Sequence, residues 1–183
     1  MCGIIGIQNN SEAATLAYMG LYAQQHRGQE GAGVVSSDGT VLHRHMGQGL
    51  VSDVFSDSAV FDSLIGDSAI GHVRYSTTGN SDPKNVGPLT FNMGDYSLSI
   101  AHNGNLVNLD EIRKELQENG ALFQTSTDTE IIIHLLAREK GDTLADKLEK
   151  VLQKIEGAYS LILLSPSEII AARDPHGIRP FCM

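Results

Sequence analysis

Cysteine, basic charge and long apolar runs are all scarce in this chain, and each scarcity removes a class of function. Thiols occur only at Cys2 and Cys182, at opposite ends of 183 residues. Two cysteines make no disulfide framework and cannot supply the four thiolates of an iron–sulfur cluster. Lysine and arginine total 13 against 22 acidic residues, a net charge of −9. That balance argues against nucleic acid or an anionic membrane as the main partner. No apolar run approaches the roughly 18 residues of a membrane span. The N-terminus lacks the basic-then-apolar pattern of a secretory signal. With 41% hydrophobic and 19% charged residues, the expectation is a soluble cytoplasmic domain with a real core.

The pattern along the chain mixes strands and helices. Gly3 to Gln8 is an apolar run of strand type. Ser11 is placed to cap a helix carrying Ala13, Ala14, Leu16, Ala17 and Leu21. Val34-Val35 and Val41-Leu42 flank the turn sequence Ser37-Asp38-Gly39, which predicts a hairpin. Residues 50–65 read as short helix and loop, and Ala69 to His72 as a strand. Tyr96 to Ala101 predicts a strand ending at His102-Asn103-Gly104-Asn105. Asn108 with Glu111 has the spacing of a capping box, and Gly120 closes that helix. Thr127-Asp128 opens a second helix, and residues 143–156 form a third. Tyr159 to Leu164 and Glu168 to Ala172 pair across Ser165-Pro166-Ser167. Strands at both ends with helices between them predict an α+β layered domain.

A few positions combine into chemistry. Loss of Met1 would leave Cys2 with a thiol and a free α-amine on one carbon, a nucleophile and base in one residue. The bland alternative is a small residue opening a buried strand. Arg27 and Gly28 sit in a glycine-rich polar run that is either a loop held against something or a plain helix cap. Arg74, at a strand end before hydroxyls and a glycine, suits a carboxylate, or is a surface arginine. Asn103 and Gly104 can converge on one oxyanion, or form an Asn-Gly turn. Asp128 either pairs with an ammonium or favours a helix N-terminus. His43 and His45 alternate on one strand without a nearby third ligand, which favours an ordinary strand face over a metal site.

Six segments taken together resemble the glutaminase domain of class II glutamine amidotransferases. They are Cys2 to Ile7, Gln25 to Glu30, Gly71 to Thr77, His102 to Asn105, Thr127 to Glu130 and Arg173 to Pro180. The resemblance implies a four-layer α/β/β/α sandwich of the N-terminal-nucleophile hydrolase type. It makes Cys2 the nucleophile and its α-amine the base. Asn103 and Gly104 would hold the oxyanion. Arg74, aided by Thr77, would bind the α-carboxylate of glutamine, and Asp128 its α-ammonium. Arg27 and Gly28 would line the Cys2 end, and residues 74–80 would close over the substrate. Cys2 directly behind Met1 implies that no propeptide is needed.

Tyr75 and the Gln25-to-Gln29 motif point to the branch that uses the ammonia on phosphoribosyl pyrophosphate in purine biosynthesis. That branch implies a single domain over 1–183, continued past Met183 and followed by a phosphoribosyltransferase domain. Magnesium is expected only with that second domain, so no cofactor is expected in this chain. Full-length members are expected to be homo-oligomers. Asn85-Val86-Gly87-Pro88 departs from the family, which usually has Gln before Pro. The competing expectations are an idle glutamine-binding or interaction module, and a metal-binding domain built on the seven histidines.

Overall fold

The structure is a computed structural model and describes residues 1–75 and 82–183. Its elements run β1 (Gly3–Ile7), α1 (Ala13–Ala23), a 3-10 turn (Gln25–Arg27), β2 (Gly31–Ser37), β3 (Leu42–Gln48), α2 (Val51–Val54), α3 (Val60–Ser63) and β4 (Ser68–Arg74). A second 3-10 turn (Pro83–Asn85) follows, then β5 (Leu89–Asn92), β6 (Ser97–Leu106), α4 (Leu109–Glu118), α5 (Asp128–Arg138), α6 (Leu144–Leu152), β7 (Gly157–Leu164) and β8 (Ile169–Arg173).

Two four-stranded antiparallel sheets result, ordered β1-β4-β2-β3 and β5-β6-β7-β8. Strand alternation sorts their side chains into three cores. On β4, Ala69 and Val73 pack with Ala13, Ala17 and Leu21 of α1. Ile70, on the opposite face, joins Val35, Ala101, Ile162 and Leu164 between the sheets. On β6 and β7, Leu98, Ile100, Leu161 and Leu163 pack under Ile131, Ile132 and Leu136 of α5. The layers are therefore α/β/β/α, as expected. Among the described residues no helix is long and apolar enough to cross a membrane.

Tertiary contacts overrule several local expectations. Ser11 does not cap α1; the Asn10 side chain accepts from the Glu12 N–H at 2.8 Å instead. Asn108 precedes α4 without capping it. Its amide reaches across to the Lys154 carbonyl at 2.8 Å and the Glu156 N–H at 2.9 Å, tying α4 to the entry of β7. The capping box lies instead at Thr143 and Asp146 on α6. β6 does not end at Asn103 but continues to Leu106, so the Asn-Gly turn is excluded.

Candidate functional site

β1, β4 and β6 bring their site residues together at one end of the sandwich. The register pairs Gly3 with Val73, which sets Cys2 beside Arg74 at neighbouring strand ends. From the second sheet, β6 contributes Asn103, paired with Ser160 of β7. The 3-10 turn after α1 places Arg27, whose Nε donates to the Cys2 carbonyl at 3.1 Å. Asn103, its amide oriented so that donors meet acceptors, donates to the same carbonyl at 3.1 Å and accepts from Arg27 at 3.2 Å. An amide has two N–H donors, so one remains for a ligand.

Glycine is required at two positions here. Gly28 is not a left-handed helix cap: its φ is −166°, which is extended. A Cβ there would lie 2.6 Å from the Arg74 carbonyl oxygen, so Gly28 lets the Arg27 turn approach the end of β4. A Cβ on Gly104 would meet the Ala158 carbonyl at 2.2 Å, which only a bare backbone avoids.

A cleft of about 140 Å³ opens between Cys2, Arg74, Gly104 and Asp128. Drug-sized sites run to ~300–1,000 Å³, so the ligand it suits is small. Arg74 donates from one Nη to the Asn85 carbonyl at 3.0 Å, and its Nε lies 3.9 Å from the Glu30 carboxylate. Asp128, the first residue of α5, accepts from the Leu106 N–H at 3.2 Å. Burial pushes its carboxyl up, against the pull of backbone N–H groups and the more distant Arg113. A carboxylate raised by desolvation gains most from an incoming cation.

The Cys2 thiol lies 3.7 Å from the Tyr75 carbonyl. Burial alone would raise its pKa, but nearby His72, the Tyr75 backbone and the terminal amine bring it down to about 7. A thiol so placed is substantially ionised near neutrality and therefore nucleophilic. In this chain the terminal amine belongs to Met1, and burial lowers it from its ordinary value.

Sequence reasoning missed two histidines in this cleft, His72 and His102, each at least nine-tenths buried. Neither ring nitrogen of His72, nor Nε2 of His102, has a hydrogen-bond partner among the described residues. Burial, then the charges of His72 and Arg179, drive the His102 pKa down to about 3. His72 was findable: it stands two residues before Arg74, on the same strand face. Gly87 lies against His72: a Cβ there would come 2.9 Å from its Nδ1.

Of the expected site residues, Cys2, Arg74, Gly104 and Asp128 line the cleft and Gly28 packs against the Arg74 carbonyl, while Arg27 and Asn103 line a second cavity and reach the site through the Cys2 carbonyl. Thr77, with most of the 74–80 segment, lies outside the described residues. His43 and His45 are elsewhere, bonded to Asp38 at 2.9 Å and to the Val54 carbonyl at 2.8 Å.

Comparison with known proteins gives a consistent picture. The profile of the family described as "Glutamine amidotransferase domain" matches residues 72–183. An Arabidopsis thaliana amidophosphoribosyltransferase 2, chloroplastic, is 49% identical over 183 residues, covering 100% of this chain and 32% of that protein. An amidophosphoribosyltransferase from Lacticaseibacillus casei is 42% identical over 179 residues, covering 98% of this chain and 92% of that one. The solved structure "Structure of the allosteric regulatory enzyme of purine biosynthesis" superposes with a TM-score of 0.93 at 44% identity, over 98% of this chain and 38% of that one. The chain thus spans about a third of the Arabidopsis relative and nearly all of the Lacticaseibacillus one.

Proposed function

This chain belongs to the glutamine amidotransferase family, and on that premise we propose that it hydrolyses glutamine to glutamate and ammonia through Cys2. The observation that carries the reading is the small cleft in which a thiol with a pKa of about 7 faces Arg74 and Asp128. Opposite fixed charges suit the two ends of an amino-acid zwitterion, and a thiolate beyond them suits its side-chain amide.

The steps follow from the groups available. The Cys2 thiolate attacks the side-chain amide carbon, and the carbonyl becomes an oxyanion. The free N–H of Asn103 and the Gly104 backbone N–H stabilise that charge as it develops. Once Met1 is removed, the α-amine of Cys2 takes the thiol proton and returns it to the leaving nitrogen. Ammonia departs and a γ-glutamyl thioester remains. Water, deprotonated by the same amine, hydrolyses it and regenerates the thiol. Thr77 assists Arg74 in this reading.

The wider role is also a proposal, supported by the names of the relatives. The ammonia would pass to phosphoribosyl pyrophosphate on a phosphoribosyltransferase domain, giving phosphoribosylamine for purine biosynthesis. Magnesium would belong to that domain, and the assembled enzyme would be a cytoplasmic homo-oligomer. Two free cysteines suit a reducing compartment.

Intact mass before and after 6-diazo-5-oxonorleucine is the test. Loss of Met1 and one adduct on Cys2, blocked by excess glutamine, is the expected result. Retained Met1, or an adduct that glutamine does not block, would leave an idle glutamine-binding or interaction module as the better reading.

A further inference from the structure

Arg74 and Asp128 come from opposite halves of the sandwich, one at the end of a strand in the first sheet and the other on a helix over the second. Something has to hold their separation. Asn85, the last residue of the second 3-10 turn and 4% exposed, touches the neighbourhood of both. Its carbonyl accepts from Arg74 at 3.0 Å. Its side-chain oxygen accepts from the Ser126 N–H at 3.2 Å, and its side-chain N–H donates to the Ser126 Oγ at 3.0 Å. Its own N–H donates to the Asp82 carbonyl at 2.9 Å, so every polar group of the residue is engaged.

Ser126 stands two residues before Asp128, and the same segment is gripped from its other side. Glu130, 1% exposed, accepts from the Gln124 N–H at 2.8 Å and from the Thr125 N–H and Oγ1, both at 2.7 Å. The approach to Asp128 is therefore clamped between a buried carboxylate of its own helix and the amide of Asn85. We propose that Asn85 is a positioning residue that sets the Arg74–Asp128 separation, and through it the requirement for both charged ends of the substrate. The proposal rests on the glutamine reading above. Asn85 lines the same cleft, but its polar groups are turned to Arg74, Ser126 and Asp82. It acts through Arg74 on one side and Ser126 on the other. A carboxamide suits this role because it presents a donor and an acceptor side by side, matching the N–H and Oγ of one serine.

The test compares ammonia release from glutamine with release from two one-ended amides. Glutaramate lacks the α-amine, and 4-aminobutanamide lacks the α-carboxylate. Removing a buried two-bond clamp loosens geometry by a fraction of an ångström, and misplacement of that order costs about ten- to a hundredfold in rate. In Asn85→Ala, kcat/KM for glutamine is expected to fall about tenfold or more, chiefly through KM. The one-ended amides never used the spacing, so their kcat/KM is expected to stay within about twofold and the preference for glutamine to collapse. Ser126→Ala removes one of the two bonds and is expected to move the preference the same way by about threefold. The double variant is expected to be no worse than Asn85→Ala, since both act through one link.

A role in stability alone predicts something else, an equal loss on all three substrates with the preference unmoved. That result in a folded Asn85→Ala protein overturns the proposal and leaves the glutamine reading standing. If Asn85→Ala does not fold, an unmoved preference in Ser126→Ala overturns it equally. A wild-type protein that releases no ammonia from glutamine removes the reading and the proposal together.

Discussion

The two ends of the cleft are built differently. At the reacting end, Asn103 stands inside β6 and Cys2 directly before β1, and Arg27 fastens both through the Cys2 carbonyl. At the recognition end, Arg74 and Asp128 sit where regular structure stops or starts, and a 3-10 turn and the approach to α5 hold them. Asn103 keeps its position through sheet pairing that no ligand disturbs, and the Cys2 backbone is tied to it and to Arg27. Groups held by turns depend on a few side-chain bonds. The reacting end should therefore fail by chemistry and the recognition end by affinity.

The sharpest way to break that contrast is Cys2→Ser. A hydroxyl is far less ionised than a thiol near neutrality, so turnover is expected to fall by about a thousandfold or more, with glutamine binding retained. Stopped ammonia release together with calorimetric binding near the wild-type Kd supports the division. Loss of binding as well would place recognition and chemistry on one element.

Next in size comes Asp128→Asn. Losing the partner of a substrate ammonium costs ~2–4 kcal/mol, a KM raised by about a hundredfold, with kcat changed far less. Because burial already disfavours the charged carboxyl, the neutral variant is expected to unfold at the same temperature as wild type or higher. The sign in pH follows: as pH falls, Asp128 protonates above its ordinary 3.8, and wild-type KM for glutamine rises. A variant that loses stability along with affinity would mean that Asp128 holds the fold rather than the substrate.

Much of this division was legible in the sequence, for a physical reason. Groups at the ends of regular elements leave local signatures: Arg74 closes an apolar run, and Asp128 opens one. An α+β layered domain likewise follows from apolar periodicity and element order, whereas the four-layer α/β/β/α order is what the family resemblance implies. Helix starts were less legible, since Ser11 and Asn108 fit a local capping pattern that distant partners overrule. Asn108 is held by atoms 46 and 48 residues away, which no window of the sequence contains. At Asn103-Gly104 the local pattern leaves a turn open beside an oxyanion site, because Asn-Gly favours a turn in isolation, whereas pairing of Asn103 with Ser160 carries β6 through them. The role of Asn85 depends on Ser126, 41 residues on, and is invisible until both are in place.

A smaller effect tests how the reacting end is tuned. His72 works against burial in bringing the Cys2 thiol to about 7. His72→Ala is expected to move it back toward the ordinary ~8.5, leaving a few per cent thiolate at pH 7 in place of about half. Alkylation by iodoacetamide should then slow by about tenfold at pH 7 and hardly at all near pH 10. Equal slowing at both values would mean that His72 controls access to the thiol and not its charge.

The smallest effect concerns His102, which divides the cleft from the core under α5. Its folded pKa of about 3 lies below the ordinary 6.5, so the folded protein resists a proton that the unfolded chain accepts. Between those two values the unfolded state binds more protons, and stability rises with pH. The contribution is complete above 6.5 and is lost progressively as pH falls toward 3. Urea unfolding at pH 7 and pH 5 should show it as a drop in stability, at most ~1.4 kcal/mol for each pH unit below 6.5 from this one group. His102→Gln removes the titration, so its stability should fall less between the same two pH values. Because the ring hangs from the strand that carries Asn103, an unchanged slope in that variant would assign the acid sensitivity to other groups. The reacting end would then be rigid without depending on a neutral histidine behind it.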